Sequence, residues 1–339
     1  MTSQDVAELA GVSRTTVSFV LNDVKHINIT PETRRKVLDA IETLGYVPNA
    51  SAQALASKRS KAIGLVMTRS PQYIATDTFM PQILGGMLDI IKSHHLGLLI
   101  EWVNPGHQIQ TYRELIHAKH IDGMILLTPR FDDEGLKELE DLEIPVVLMG
   151  NISNSNLPSV DIDNRLAARW GVDHLIELGH RQIACILNAS TAYSSANERL
   201  MGYQDALADA DIAYDQDLIR MADFDPQSGF AQMQSLLSSG KHFTAVFIAS
   251  DNVAMGALAA IHESGFQVPG DLSVLGFDDI PWATYANPPL TTIHTPAHEL
   301  AQQSCLLLLE LMKEKTGQPK KVTIDSDLVI RKSTQRIKT

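Results

Sequence analysis

Apolar positions recur at helical spacing through the first 45 residues, then give way to short strand-like runs that alternate with helical patterns. Val6, Leu9 and Ala10 fall at i, i+3 and i+4 and predict a first helix with one apolar face. Gly11 ends it, because glycine tolerates the left-handed backbone of a tight turn. Ser13 caps a second helix whose buried side is marked by Val17, Val20 and Leu21. Its other side carries Thr15, Ser18, Phe19 and Asn22, with Arg14 at the N-terminal end. Thr30 and Pro31 open a third helix, Val37, Ile41 and Leu44 line it, and Gly45 stops it. Two short helices joined by a small-residue turn read as a helix-turn-helix, whose second helix offers its side chains to base edges. An ordinary helical hairpin would give the same local pattern.

From Ala62 onward strands and helices alternate. The strand runs are Ile63–Met67, Leu98–Ile100, Met124–Leu127 and Pro145–Met149, with helices over Phe79–His95, up to Leu115, and over Glu134–Leu142. A second series is expected to open near Val160, with strands at Ile183–Leu187, Leu218–Met221, Ala245–Ile248 and Leu272–Leu275. Its helices fall at Arg165–Leu178, Glu198–Ala208, Gln227–Ser238 and Val253–Glu263. The expected fold is an all-α helix-turn-helix head followed by an α/β body of two lobes, with parallel sheets and helices on both faces. Ligands of such sheets bind outside the carboxyl ends of the strands, so the cleft between the lobes is the expected site.

Charge sharpens this division. The chain of 339 residues carries −12 overall. Up to Lys61 eight basic residues face six acidic ones, a net of +2, which leaves −14 for the rest. A mildly basic head on an acidic body suits a DNA-contacting module that relies on a dimer for tight binding. No apolar stretch approaches ~18 residues, so no membrane span is expected. The start Met1-Thr-Ser-Gln-Asp5 lacks the basic and apolar run of a secretory signal. Two isolated thiols, Cys185 and Cys305, fit a reducing cytoplasm better than a disulfide framework. The pairs His294/His298 and His117/His120 do not follow a metal-binding order, and no phosphate loop or nucleophile elbow is present. No metal, cofactor or catalytic residue is expected. Asp278 and Asp279 are adjacent, an unsuitable placement for an acid/base pair flanking a bond.

The run Asp5-Val-Ala through Val17-Ser18, then Thr33-Arg34, Lys36-Val37 and Leu44-Gly45-Tyr46-Val47-Pro48-Asn49, resembles the lactose/galactose repressor family of bacterial transcription regulators. The resemblance extends over nearly the whole chain. It implies a helix-turn-helix domain at 1–48, a hinge at 49–60, and an effector-binding and dimerisation domain at 61–339 shaped like a periplasmic sugar-binding protein. The N-lobe would take 61–159 and 293–322 and the C-lobe 160–292 and 323–339, with crossings near Ser159, Thr292 and Val322. By the resemblance Arg14 and Thr15 read bases, and Arg14 suits guanine O6 and N7, a phosphate contact being the alternative. Ser13, Thr16, Ser18, Phe19, Asn22, His26, Tyr46 and Asn49 complete the expected head contacts. Phe19 stands where many members carry Arg and favours a thymine methyl instead. Leu55 matches a leucine that wedges into the minor groove from a hinge helix, with Lys58 and Arg59 toward phosphates, a flexible tether being the plainer reading.

In the cleft, Arg199 matches an arginine that forks onto effector hydroxyls or carboxylates, and Asp278 a carboxylate that accepts from the effector. Phe224 matches an aromatic that stacks on the ligand ring, Ser250 takes a position often Asn, and Phe79 would line the opposite lobe. Phe79 and Phe224 also read as plain core, and Asp251 as a helix cap. Gly150 stands where many members have Asp, and the longer loop from Thr68 to Asp77 brings Tyr73 toward the pocket. The expected protein is thus a cytoplasmic, homodimeric repressor (a tetramer left open) on near-palindromic operator DNA. Its expected effector is a sugar acting as inducer, with a nucleobase or phosphoprotein corepressor as the alternative.

Overall fold

The computed structural model describes residues 1–21, 27–47, 59–69, 74, 76–104, 106–141, 144–313 and 320–337. The chain folds as two units, Met1–Lys61 and Ala62–Thr339.

The first unit is helical, with α1 at Ser3–Ala10, α2 at Arg14–Leu21 and α3 at Pro31–Leu44. Each boundary has a chemical cause. Thr2 and Asp5 form a reciprocal capping box at α1, and Gly11 closes the helix at φ 65°. The Ser13 hydroxyl accepts the Thr16 N–H at 3.1 Å and starts α2. Thr30 caps α3 by accepting the Thr33 N–H at 3.2 Å. The core is Val6, Ala7, Val17, Val20, Val37 and Ala40. Leu9, expected on the buried face of α1, is 54% exposed. Ala7 takes its place, because one turn of a short helix turns only a narrow face inward, and that face here follows Val6 rather than Leu9.

The second unit holds two six-stranded sheets. The N-lobe sheet contains β1 (Ala62–Met67), β2 (Gly97–Trp102), β3 (Gly123–Leu127), β4 (Val146–Met149), β5 (Ser159–Ile162) and β11 (Lys321–Ile324), in the order β11-β5-β4-β3-β1-β2. All its pairings are parallel. The C-lobe sheet contains β6 (Ile183–Leu187), β7 (Ile219–Met221), β8 (Ala245–Ile248), β9 (Ser273–Asp278), β10 (Thr291–His294) and β12 (Asp327–Val329), in the order β12-β10-β9-β8-β6-β7. Only β12 is antiparallel, against β10. The connecting helices are α4 (Met80–Ser93), α5 (Gln108–His117), α6 (Gly135–Glu140), α7 (Asn164–Glu177), α8 (Ser194–Asp209), α9 (Pro226–Leu237), α10 (Asp251–Glu263) and α11 (Ala297–Lys313). Long crossovers are what parallel strands require. Where α7 meets α8 the helices touch backbone to backbone: a Cβ on Gly202 would lie 2.1 Å from the Arg165 carbonyl oxygen.

The lobes exchange chain later than the sequence suggested. β5 completes the first sheet instead of opening the second, β10 still belongs to the second, and β11 to the first. The crossings therefore follow Ile162, His294 and Ile324, two or three residues beyond Ser159, Thr292 and Val322. An apolar run marks a strand, but only its partners' hydrogen bonds decide which sheet receives it. Among the described residues no helix is long and apolar enough to cross a membrane.

Candidate functional site

On the head, Ser13, Arg14 and Thr15 are exposed at the start of α2, and Thr16, Ser18 and Phe19 are half-buried along it. The Ser13 hydroxyl also lies 2.9 Å from that of Thr16, so both are partly engaged in holding the helix end. Tyr46 packs half-buried against the head core, which binds its ring to the fold. Arg59 is exposed. Asn22, His26, Asn49, Leu55 and Lys58 lie outside the described residues, as does Tyr73 of the body.

In the body the strand ends bring Arg199, Phe224, Ser250 and Asp278 into one region. Arg199, on α8, is buried. Its Nε donates to Asn164 Oδ1 at 2.9 Å, and its Nη1 to the Ala249 carbonyl at 2.6 Å and to Asp278 Oδ1 at 3.4 Å. The guanidinium lies over the Phe277 ring, 3.7 Å from its centroid. The Ser250 hydroxyl donates to Asp278. Burial pushes the Asp278 carboxyl up to about 6, against the opposing pull of Arg199 and Ser250. Asp278 has φ 113° and Asp279 φ 54°. Such backbone costs of order 1–3 kcal/mol each and persists only where the surroundings over-determine it. Here Thr295 N–H is bonded to the Asp278 carbonyl at 3.2 Å, and Asp251 Oδ2 accepts the Ile280 N–H at 3.0 Å. Asp279 itself is spent on Arg331 at 2.7 Å and His294 at 3.0 Å. Asp251 begins α10 and is buried against Thr292 and Ile280. It is structural.

Phe224 is buried, edge-on to Tyr193 with centroids 4.9 Å apart. Its ring carries the guanidinium of Arg69 at 4.8 Å. Tyr193 in turn carries that of Arg130 at 4.6 Å. Arg69 and Arg130 follow β1 and β3 of the N-lobe, so two arginines of one lobe grip two aromatic rings of the other. Backbone bonds join the lobes beside them, from Phe131 N–H to Ala192 O at 2.8 Å and from Ser194 N–H to Pro129 O at 3.2 Å. Phe79 precedes α4 and packs half-buried against the large core, nearer to the core reading than to a lining one.

Arg69, Asp77, Asn164, Tyr193 and Asn252 were not singled out from sequence. The rule that ligands sit beyond strand ends would have found Arg69, which follows β1 by two residues. Nothing local marks Asp77 or Asn252, which meet across the cleft with Asn252 Nδ2 3.3 Å from Asp77 Oδ1.

A helix-turn-helix head on a two-lobed α/β body with polar groups gathered at the strand ends defines a DNA-binding transcriptional regulator rather than an enzyme. Residues 2–49 match the lacI family of bacterial regulatory proteins, and residues 172–334 a periplasmic binding protein-like domain. The chain is 33% identical to the HTH-type transcriptional regulator CelR of Thermobifida fusca, covering 98% of both chains. It is 32% identical to the HTH-type transcriptional repressor PurR of Actinobacillus pleuropneumoniae serotype 3, covering 99% of both. Among solved structures it is similar to the lac repressor dimer bound to operator and the anti-inducer ONPF, with TM-score 0.85, 32% identity and 99% of each chain covered. It is also similar to the CelR–cellobiose complex, with TM-score 0.75, 32% identity, and 98% and 99% of the two chains covered. The chain belongs to the lacI family of bacterial regulatory proteins.

Proposed function

We propose that this chain is a homodimeric cytoplasmic repressor that binds a near-palindromic operator and releases it when a sugar enters the cleft between its lobes. The observation that carries the reading is the Arg199–Asp278 pair beside Phe224: a cation and an anion fixed at strand ends next to an aromatic ring suit a polyhydroxylated ring. In this reading Arg14 and Thr15 contact bases, with Ser13, Thr16, Ser18 and Phe19 along the groove and Tyr46 setting the helix at its place. Asn22, His26, Asn49, Lys58 and Arg59 serve the phosphates and flanking bases, and Leu55 the minor-groove wedge. Arg199, Asp278 and Ser250 hold effector hydroxyls and Phe224 its ring face. Tyr73, which lies outside the described residues, serves the N-lobe side, and Phe79, packed against the core, does not. Among the similar proteins, one solved structure is a complex of CelR with cellobiose, and others carry the name transcriptional repressor PurR. Polar groups matched to a polyol favour the sugar.

The test begins with operator selection from random DNA by the full chain. Fluorescence anisotropy on the selected site then follows a panel of mono- and disaccharides, cellobiose included, and of nucleobases. Release by a sugar is expected. Tightening by a nucleobase would replace the inducer with a corepressor. Failure to select any DNA would refute the reading.

A further inference from the structure

Two arginines and two carboxylates meet in the cleft, and each arginine is already neutralised. Arg69 Nη2 lies 2.7 Å from Asp77 Oδ2, with side chains 10% and 4% exposed. Arg199 faces Asp278 and is further held by Asn164 and the Ala249 carbonyl. Asp77 has a second task. Its Oδ1 accepts the N–H groups of Phe79 at 2.8 Å and Met80 at 3.2 Å, which fixes the first turn of α4. The same oxygen takes Asn252 from the other lobe, and Thr78 Oγ1 donates to Asn252 Oδ1 at 2.8 Å. The two pairs act on each other: Asp77 raises the pKa of Asp278 and Arg69 lowers it.

A charge entering a dry cleft needs a partner, since desolvation otherwise outweighs any contact it makes. A phosphate or carboxylate entering here finds Asp77 and Asp278 already paired with the arginines, and their negative charges beside it. An uncharged polyol escapes that cost and still offers hydroxyls to the carboxylates. Arg69, lying over Phe224, sits where such a ring would be felt.

We propose that the Arg69–Asp77 pair sets the charge class of the effector, admitting an uncharged polyhydroxylated ring and refusing a phosphorylated or carboxylated one. The proposal rests on reading the cleft as the effector site and names the ligand class within it.

The test uses the full chain with Asp77→Asn, which leaves Arg69 without its counter-charge and keeps an acceptor oxygen for the Phe79 and Met80 N–H groups. Inorganic phosphate is the probe, followed by calorimetry and thermal shift. The unmodified chain is expected to show no binding at about 10 mM phosphate, and Asp77→Asn a gain of at least about ten-fold. Adding Arg69→Gln to that variant should abolish the gain. Phosphate uptake by the unmodified chain, no gain in Asp77→Asn, or a gain that survives Arg69→Gln would each overturn the proposal. If Asp77→Asn fails to fold by circular dichroism, Asp77→Ser, which also removes the counter-charge of Arg69 and keeps an acceptor oxygen near the start of α4, carries the same expectation. Operator binding separates the two levels. A sugar phosphate that releases operator better than its parent sugar defeats the charge rule and leaves effector control intact. If no compound alters operator binding, effector control fails while the phosphate result still decides what the pair does.

Discussion

Asp278→Asn tests the energetic cost of the cleft. Burial raises this carboxyl from the ordinary 3.8 to about 6. A rise of that size corresponds to roughly 3 kcal/mol of ionisation cost carried by the folded state. The sign follows from linkage: the folded pKa is raised, so the stabilising contribution is full below 3.8 and is lost as pH climbs through about 6. Asparagine does not titrate and keeps an acceptor for Arg199, which also retains Asn164 and the Ala249 carbonyl. Relative to the unmodified chain, the variant should therefore gain about 2 kcal/mol between pH 4 and pH 7. Urea unfolding followed by tryptophan fluorescence reads the body alone, because Trp102, Trp170 and Trp282 all lie outside the head. The comparison with the variant is needed because burial also moves Asp161 up to about 6 and Glu198 up to about 7. Two stability-versus-pH curves that run parallel would refute the claim that Asp278 is ionised at a cost. The same variant should bind effector at least ten-fold more weakly at pH 7.5, since a charge-assisted hydrogen bond contributes roughly 1.5–3 kcal/mol. Unchanged affinity by calorimetry would remove Asp278 from the binding site.

Four further outcomes are expected. Effector affinity of the unmodified chain should decline as pH falls through about 6, where Asp278 gains a proton, while Asp278→Asn stays flat over that range by titration calorimetry. Arg14→Ala should relax preference at one base pair per half-site by roughly 1–3 kcal/mol in competition binding, and a uniform loss over all sequences would make Arg14 a phosphate contact. Gly202→Ala should lower the urea midpoint of the body. Its Cβ, 2.1 Å from the Arg165 carbonyl, forces α7 and α8 apart at about 1–3 kcal/mol, which exceeds the ~1 kcal/mol that alanine gains as a helix former. Cys185 and Cys305 are fully buried, and burial pushes both thiols up, Cys305 to about 12. Neither should react with a disulfide dye until urea unfolds the body, and rapid reaction in the native state would contradict that packing.

The sequence by itself determined the elements whose causes are local. Thr30, Gly11 and Gly45 delimit the head helices because a cap or a left-handed turn needs only residues within four positions. Alternating strand and helix patterns likewise set the class of the body. Arg199, Phe224 and Asp278 stood out only through the family resemblance, and all three lie at strand ends or beside them. Tertiary structure alone decided the rest. It assigned β5 and β11 to the first sheet and β10 to the second, since sheet membership depends on hydrogen bonds with strands as distant in the chain as Ser159 and Lys321. It exposed Leu9, and it turned Tyr46 onto the head core. It paired Arg69 with Asp77, and it brought Asn252 from the other lobe to the same carboxylate, a meeting separated by 175 positions in the chain. A buried charge is stable only where its partner happens to fold against it, and that partner is chosen by packing, which no run of neighbouring residues records.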